Sequence, residues 1–444
     1  MNPITEKSLS GFQADFVSRA GSRAAMNCVV KNGLEGSAAA FDMPRRMRFG
    51  FSVELPPSPA RSQKKSGRCW MFAALNAMSR DAARRLNLED FEFSQSYTMF
   101  YDKLEKSNFF LESILETAEL PLTDRLISHL LTAPLGDGGQ WDMFRSLIEK
   151  YGAVPKSSMP ESFHSSNSEF LNKLLTAKLR EYAATLRSAF KGGTCSVELG
   201  AMKNDMLGEV FRTLSIALGS PPETVNLELR NRDKKFLRIE NLPPRDFFTN
   251  YVGWQLEDYC SLINAPTADK PYHKCYTVAY LGNVAGGHPV RYLNLPVGDL
   301  KKYAIAQLLD GKPVWFGCDV GKRLDREYGS MDLEGFDFES LLGYNFSATK
   351  AQRLDYHESL MTHAMVFTGV NLDENGEPNR WKVENSWGED SGNKGYYVMS
   401  DAWFSEYLYQ VLVDKRYLPE TIRAELRQTP LVLQPWDPMG SLAM

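Results

Sequence analysis

Residues 63–75, Gln-Lys-Lys-Ser-Gly-Arg-Cys-Trp-Met-Phe-Ala-Ala-Leu, narrow the folds open to this chain more than any other stretch. Pro56, Pro57 and Pro59 keep the backbone before it extended. Gly67 supplies a flexible joint, and from Cys69 the pattern turns helical. Met71, Ala74, Leu75, Met78 and Ala82 recur at i, i+3, i+4, i+7 and i+11, one apolar stripe of a largely buried helix. Any fold must therefore lead an extended segment into the first turn of that helix, with Cys69 at the turn. Unpaired N–H groups and the positive end of the helix dipole gather there and favour thiolate over thiol, most strongly with an imidazolium alongside. Gln63, six residues upstream, offers an amide donor to the same small volume. Thiolate, amide donor and backbone N–H are the beginnings of an acyl-transfer site. A single cysteine is more often a small core filler, so the rest of the chain has to decide.

At 444 residues the chain outgrows the size at which one core stops growing, so a core with large insertions, or two domains, is expected. A hydrophobic content of 43% marks a globular chain, not a disordered one. Lys and Arg number 51 against 55 Asp and Glu, a net charge of −4, which weakens the case for nucleic acid as a partner. Residues 1–41 mix charges with small residues, and no stretch of about 18 apolar residues occurs, so neither a signal peptide nor a membrane partner is expected. Six scattered cysteines without a C-x-x-C pair read as reduced thiols of a cytoplasmic protein, not as a disulfide frame or zinc site.

Helical spacing recurs along the first half. The nucleophile helix is expected over 69–86, an aromatic-rich helix over 94–111, and another from Met143 to Tyr151 that stops at Gly152 and Pro155. Before it lies Gly136-Asp137-Gly138-Gly139-Gln140-Trp141, whose paired glycines suit a tight turn as well as a ligand approaching bare backbone. Helices over 168–190 and 202–218 make the middle third mostly α. After Pro243-Pro244 strand-like runs take over, at 276–281, 291–295 and 314–316, with a helix over 299–309. Residues 361–370 are almost continuously apolar, as in a strand buried on both faces. Asp373-Glu374-Asn375-Gly376 is a turn. The return strand alternates, with Trp381, Val383, Asn385 and Trp387 on one face and Arg380, Lys382, Glu384 and Ser386 on the other. Asn385 on an apolar face needs a polar partner, and the imidazole of His363 on the neighbouring strand would serve.

Nucleophile, amide donor, base and orienter thus occur in one chain as Cys69, Gln63, His363 and Asn385. Together with Gly67-Arg68-Cys69-Trp70, residues 137–142, 311–322, Met361-Thr362-His363-Ala364-Met365, residues 383–390 and Trp436-Asp437-Pro438-Met439-Gly440-Ser441-Leu442-Ala443, the pattern resembles the papain-like cysteine peptidases, and among them the bleomycin hydrolase and aminopeptidase C family. His363 lies 294 residues beyond Cys69, against roughly 130–150 in a single-domain papain-like chain. A helical insertion between the two halves of the core, which the resemblance implies, accounts for the excess.

The resemblance implies an α+β fold, a papain-like two-lobed core with a helical lobe, an antiparallel β-barrel-like lobe, a large helical insertion and a C-terminal arm in the active-site cleft. The segments expected are an N-terminal extension packing on the core (1–50), the helical lobe (51–160), the insertion (161–265), the β-rich lobe (266–425) and the arm (426–444). It further implies a thiol aminopeptidase of peptides with free N-termini, with catalytic Cys69, His363 and Asn385 and an oxyanion hole of Gln63 and the Cys69 N–H. Substrate would lie along Gly138, Gly139 and Trp387 and against Ala443 and Met444 at the arm's end, with no metal or cofactor. Residues 426–444 are too apolar for a solvated tail and, with three prolines, too irregular for a helix. A homohexamer is implied by resemblance alone. Non-peptide amides or thiolactones are the alternative substrates, and a nucleic-acid-binding or chaperone-like hexamer the alternative class.

Overall fold

The cysteine-bearing segment is a helix over Cys69–Leu86 in a computed structural model that describes residues 1–443. Its first nine side chains, Cys69 to Ala77, are all buried. It ends at Asn87, whose left-handed backbone (φ 54°) returns its N–H to the Ala83 and Arg84 carbonyls. The aromatic-rich helix is Gln95–Glu116, started by the Ser94 hydroxyl accepting the Tyr97 N–H at 3.1 Å. Trp141–Tyr151 follows and stops at Gly152, where φ is +71° and a Cβ would come within 2.3 Å of the Pro244 backbone. Only glycine fits both demands.

Glu169–Lys191 and Ser196–Leu218 pack on each other and on Gln95–Glu116. Their buried residues, Leu171, Leu175, Leu179, Tyr182 and Leu186 on one and Leu199, Met206, Val210 and Leu214 on the other, keep helical spacing. A hairpin of Val225–Arg230 and Phe236–Leu242 follows them. The expectation of an α-rich middle third passed over it, although Val225, Leu227 and Leu229 alternate with Asn226, Glu228 and Arg230.

A twelve-stranded sheet carries the other half. From one edge it runs Leu431–Leu433, Lys274–Val278, Tyr292–Asn294, Tyr259–Ile263, Leu408–Asp414, Val314–Cys318, His363–Leu372, Pro378–Glu384, Tyr396–Ser400, Ser330–Met331 and Leu324–Asp325, with Val53–Glu54 added to His363–Leu372. Most pairs are antiparallel. The architecture is therefore α+β, as expected. His363–Leu372 is buried over its first eight residues between two antiparallel neighbours. On the return strand the polar face is buried as well. Lys382 pairs with Glu54, and Glu384 with Arg80 Nη2 at 2.6 Å and the Ser58 hydroxyl at 3.3 Å. The segment at 54–58 crosses this face and brings Glu54, while Arg80 reaches it from the nucleophile helix.

Helices Glu6–Ser18 and Ser22–Asn32 bury no side chain, and burial begins at Ala38 and continues at Met43 and Met47. Among the described residues no helix is long and apolar enough to cross a membrane.

Asp142, near the start of its helix, accepts the Arg291 N–H at 3.0 Å, yet burial pushes its carboxyl up to about 6. In the unfolded chain it titrates near 4. Between about pH 4 and 6 the folded state keeps a proton that the unfolded state has lost. Unfolding free energy should therefore fall as pH rises through that window, by up to about 3 kcal/mol. Urea unfolding across the window should show this extra slope in the wild type and not in Asp142→Asn.

Candidate active site

The hairpin sets Val366 opposite Glu384, so His363 and Asn385 meet just past the paired residues. His363 Nε2 lies 2.9 Å from Asn385 Oδ1. The same oxygen accepts the Ser386 N–H at 2.8 Å, which fixes the amide's orientation and makes Nε2 the donor. Trp387 lies against the imidazole, ring centroids 5.0 Å apart. Its ring in turn carries the Arg326 guanidinium 4.5 Å from the centroid and Tyr397 edge-on at 5.8 Å. His363 and Asn385 are 2% and 1% exposed.

Cys69 is fully buried, and the backbones of Ala364, Trp70 and Cys69 itself draw its thiol pKa down against the larger effect of burial. Ala364 follows His363 directly, so the sulfur rests against the histidine strand. Burial is the largest influence on this thiol and, with a smaller push from Asp137, raises it to about 12. A first-turn position is thus not enough to make a thiolate here. Lost hydration outweighs the dipole, and a positive neighbour is required.

Gln63, 5% exposed, is carried to the same place by main-chain pairing. Its N–H donates to the Ser386 carbonyl at 2.8 Å, Gly388 N–H donates to the Arg61 carbonyl at 3.0 Å, and Ser62 bridges Trp387. Gln63 Oε1 accepts the Ser386 hydroxyl at 2.5 Å, and Nε2 donates to the Ser66 carbonyl at 2.5 Å. One amide proton is committed within the loop, and the second remains for a ligand oxygen. Ser386 sets the aim of both Asn385 and Gln63, a role that strand alternation did not disclose.

Gly139 packs so closely on the nucleophile helix that a Cβ there would stand 2.4 Å from the Trp70 ring. Its N–H donates to the Ala443 carbonyl at 3.2 Å in an antiparallel bridge. Ala443 is fully buried. Gln140 Nε2 donates to the Ser441 carbonyl at 2.8 Å, and the Ser441 hydroxyl donates to the Met361 carbonyl at 2.7 Å. The chain's last described residues therefore lie between the glycine pair and the segment leading into His363. Met444 falls outside the described residues.

Beneath the glycines is a charge cluster that no sequence pattern singled out. Lys106 Nζ donates to Gly138 O at 2.6 Å, to Gly136 O at 3.1 Å and to Asp102 at 2.7 Å. Lys103 Nζ donates to Asp137 at 2.5 Å and to Gly136 O at 2.9 Å. Asp137 also accepts from Gly67 N–H at 2.8 Å, the Ser168 hydroxyl at 2.5 Å and Asn172 Nδ2 at 2.9 Å, while its carbonyl takes Trp70 Nε1–H at 2.8 Å. Burial alone would raise the Asp137 carboxyl, but Lys103 beside it and these donors hold it well below the usual carboxylate range. One side chain thereby joins the loop before Cys69, the glycine pair and the Glu169–Lys191 helix. The available signal was Asp102, Lys103, Glu105 and Lys106, four charges close together in an aromatic-rich helix. Asp137→Ala leaves Lys103 buried without its counter-charge and should lower stability by about 3–5 kcal/mol, read from the urea midpoint.

The sequence model described as the Peptidase C1-like family matches residues 3–440. Aminopeptidase C of Listeria monocytogenes is 49% identical over 416 residues, 94% of this chain and 93% of the relative. Bleomycin hydrolase of Gallus gallus is 46% identical over 402 residues, 89% and 88% of the two chains. A crystal structure titled pepw from Lactobacillus rhamnosis superposes with a TM-score of 0.98 at 49% identity, covering 99% of each chain.

Proposed function

The chain belongs to the Peptidase C1-like family, and from that premise we propose that Cys69, His363 and Asn385 make it an aminopeptidase that removes N-terminal residues from peptides. That it is a cysteine peptidase of the aminopeptidase C and bleomycin hydrolase kind follows from its relatives. The finer reading rests on one observation above the others: an imidazole oriented by Asn385 at 2.9 Å, on the strand whose next residue, Ala364, draws the buried Cys69 thiol down through its backbone.

His363 as imidazolium holds Cys69 as thiolate, offsetting the burial that otherwise keeps the proton on sulfur. With Nε2–H committed to Asn385, proton exchange runs through Nδ1. The thiolate adds to the scissile carbonyl, and Nδ1 passes its proton to the departing amine. Nδ1 then takes one from the water that releases the acyl group. The oxyanion receives the Cys69 N–H and the second amide proton of Gln63, and losing one such donor slows turnover about 100- to 1,000-fold. Trp387 keeps water from the His363–Asn385 bond. Gly138 and Gly139 form the edge along which substrate lies. Ala443 takes up the Gly139 N–H, so the arm closes part of that edge. Peptide enters only to the arm's end, where the terminal carboxylate meets a free α-amino group.

The test compares one peptide with and without an N-terminal acetyl cap, before and after iodoacetamide. Cleavage only of the uncapped form, abolished by the alkylator, is expected. Equal cleavage of both forms removes the arm from the mechanism, and resistance to alkylation removes the cysteine. A homohexamer in the cytoplasm belongs to the same proposal, supported by kinship and by the exposed Phe12, Val17 and Val30 of the N-terminal helices. Sedimentation of the full chain checks the assembly.

A further inference from the structure

On the far side of the Trp141–Tyr151 helix, a cavity of about 420 Å³ opens at the root of the C-terminal arm. Arg145, His288, Arg291, Lys415, Arg423 and Arg427 line it, and Asp142 is its single acid. Most of these cations have partners at the rim. Glu149 pairs with Arg145 and His288, each at 2.6 Å, and Glu420 pairs with Arg423 at 3.1 Å and Arg427 at 3.2 Å. Arg291 and Lys415 do not. Among the described residues neither has a carboxylate oxygen within ion-pairing distance. Lys415 Nζ donates to the Glu257 carbonyl at 2.5 Å, and Arg291 Nη2 donates to the Leu426 carbonyl at 2.5 Å and to that of Gln428. Arg291 Nε is buried with no hydrogen-bond partner among the described residues. Two cations without a carboxylate in ion-pairing reach, lining one cavity whose single acid is Asp142, leave an excess of positive charge there. An anion balances it.

We infer that this cavity is a binding site for a small phosphate-type dianion, with Arg291 and Lys415 as its principal contacts and Arg427 at its mouth. Phosphate oxygens suit the guanidinium fork, and two charges answer two unpaired cations. Occupancy also bears on the cleft. Arg291 binds the anion through the same guanidinium that holds Leu426 and Gln428, and its N–H holds Asp142, three residues after Gly139. The bound anion therefore stiffens the segment from which the arm departs. This coupling rests on the arm reading given above, whereas binding itself does not.

Inorganic phosphate titrated calorimetrically into the full chain at pH 8 and low salt should give one saturable site, weakened by added salt. Lys415→Gln and Arg291→Gln should each weaken it about tenfold. Among the described residues Lys415 donates to the Glu257 carbonyl and not to the arm, so its variant tests binding even if Arg291→Gln disturbs the fold. No saturable heat, or equal affinity in Lys415→Gln, overturns the site. Amide exchange over residues 426–433 should slow about tenfold with saturating phosphate present, and unchanged exchange overturns the coupling. Neither readout involves turnover, so failure here is distinct from failure of the peptidase assignment.

Discussion

Deleting residues 434–444 is expected to turn an enzyme that requires a free N-terminus into one that also cuts blocked peptides internally. The deletion removes the Ser441 and Ala443 anchors on Gln140 and Gly139 and, with them, the carboxylate proposed to meet the substrate's amino group. Truncating one partner of a desolvated charge pair loses about 2–5 kcal/mol. The preference for uncapped over acetylated peptide should therefore fall by about 30-fold to several thousandfold, measured as the ratio of their kcat/KM values. Gly139 N–H is released at the same time, so capped substrates gain a backbone partner. A truncated chain that still rejects the acetylated peptide would refute the arm's role.

The second large effect concerns the charge state of Cys69. Burial pushes this thiol up to about 12, so without a positive neighbour only about one molecule in 100,000 carries a thiolate at neutral pH. The wild type, with His363 alongside, should react with iodoacetamide rapidly near pH 7. His363→Ala should react at least about 1,000-fold more slowly there, with a rate that climbs tenfold per pH unit into the alkaline range. The sign follows from the acid form being the unreactive one: raising the pKa depletes thiolate at every pH below it. Peptide hydrolysis should vanish in the same variant and in Cys69→Ala, while thermal unfolding stays close to wild type. Rapid neutral alkylation of His363→Ala would exclude the ion-pair mechanism.

The elements that place these groups were legible because their periodicity is local. The apolar stripe after Gly67 predicts a helix at 69–86 and the structure has it at Cys69–Leu86. The apolar run from 361 and the alternation through Asn385 predict the hairpin that presents His363 to Asn385, and the 2.9 Å contact is there. What stayed hidden depends on which elements cross. Ser386 reads as the polar face of a strand, yet it aims Gln63, 323 residues earlier. Lys382 and Glu384 fall on the polar face of the return strand, yet residues 54–58 and Arg80 cover them. Nothing in the spacing of Lys103 and Lys106 announces that the loop at 136–138 lays its carbonyls on them. Alternation tells which side of a strand a residue occupies and is silent about what lies across from it. The thiol shows the same limit in energetic form, since the helix start is visible in sequence but the depth of burial is not.

The bridge between Gly139 and Ala443 also bears on the order of synthesis. The ribosome makes Cys69, His363 and Asn385 before residue 443 emerges. On the mechanism proposed above, a chain whose final residues have not yet docked should admit longer polypeptides, its own unfolded neighbours included.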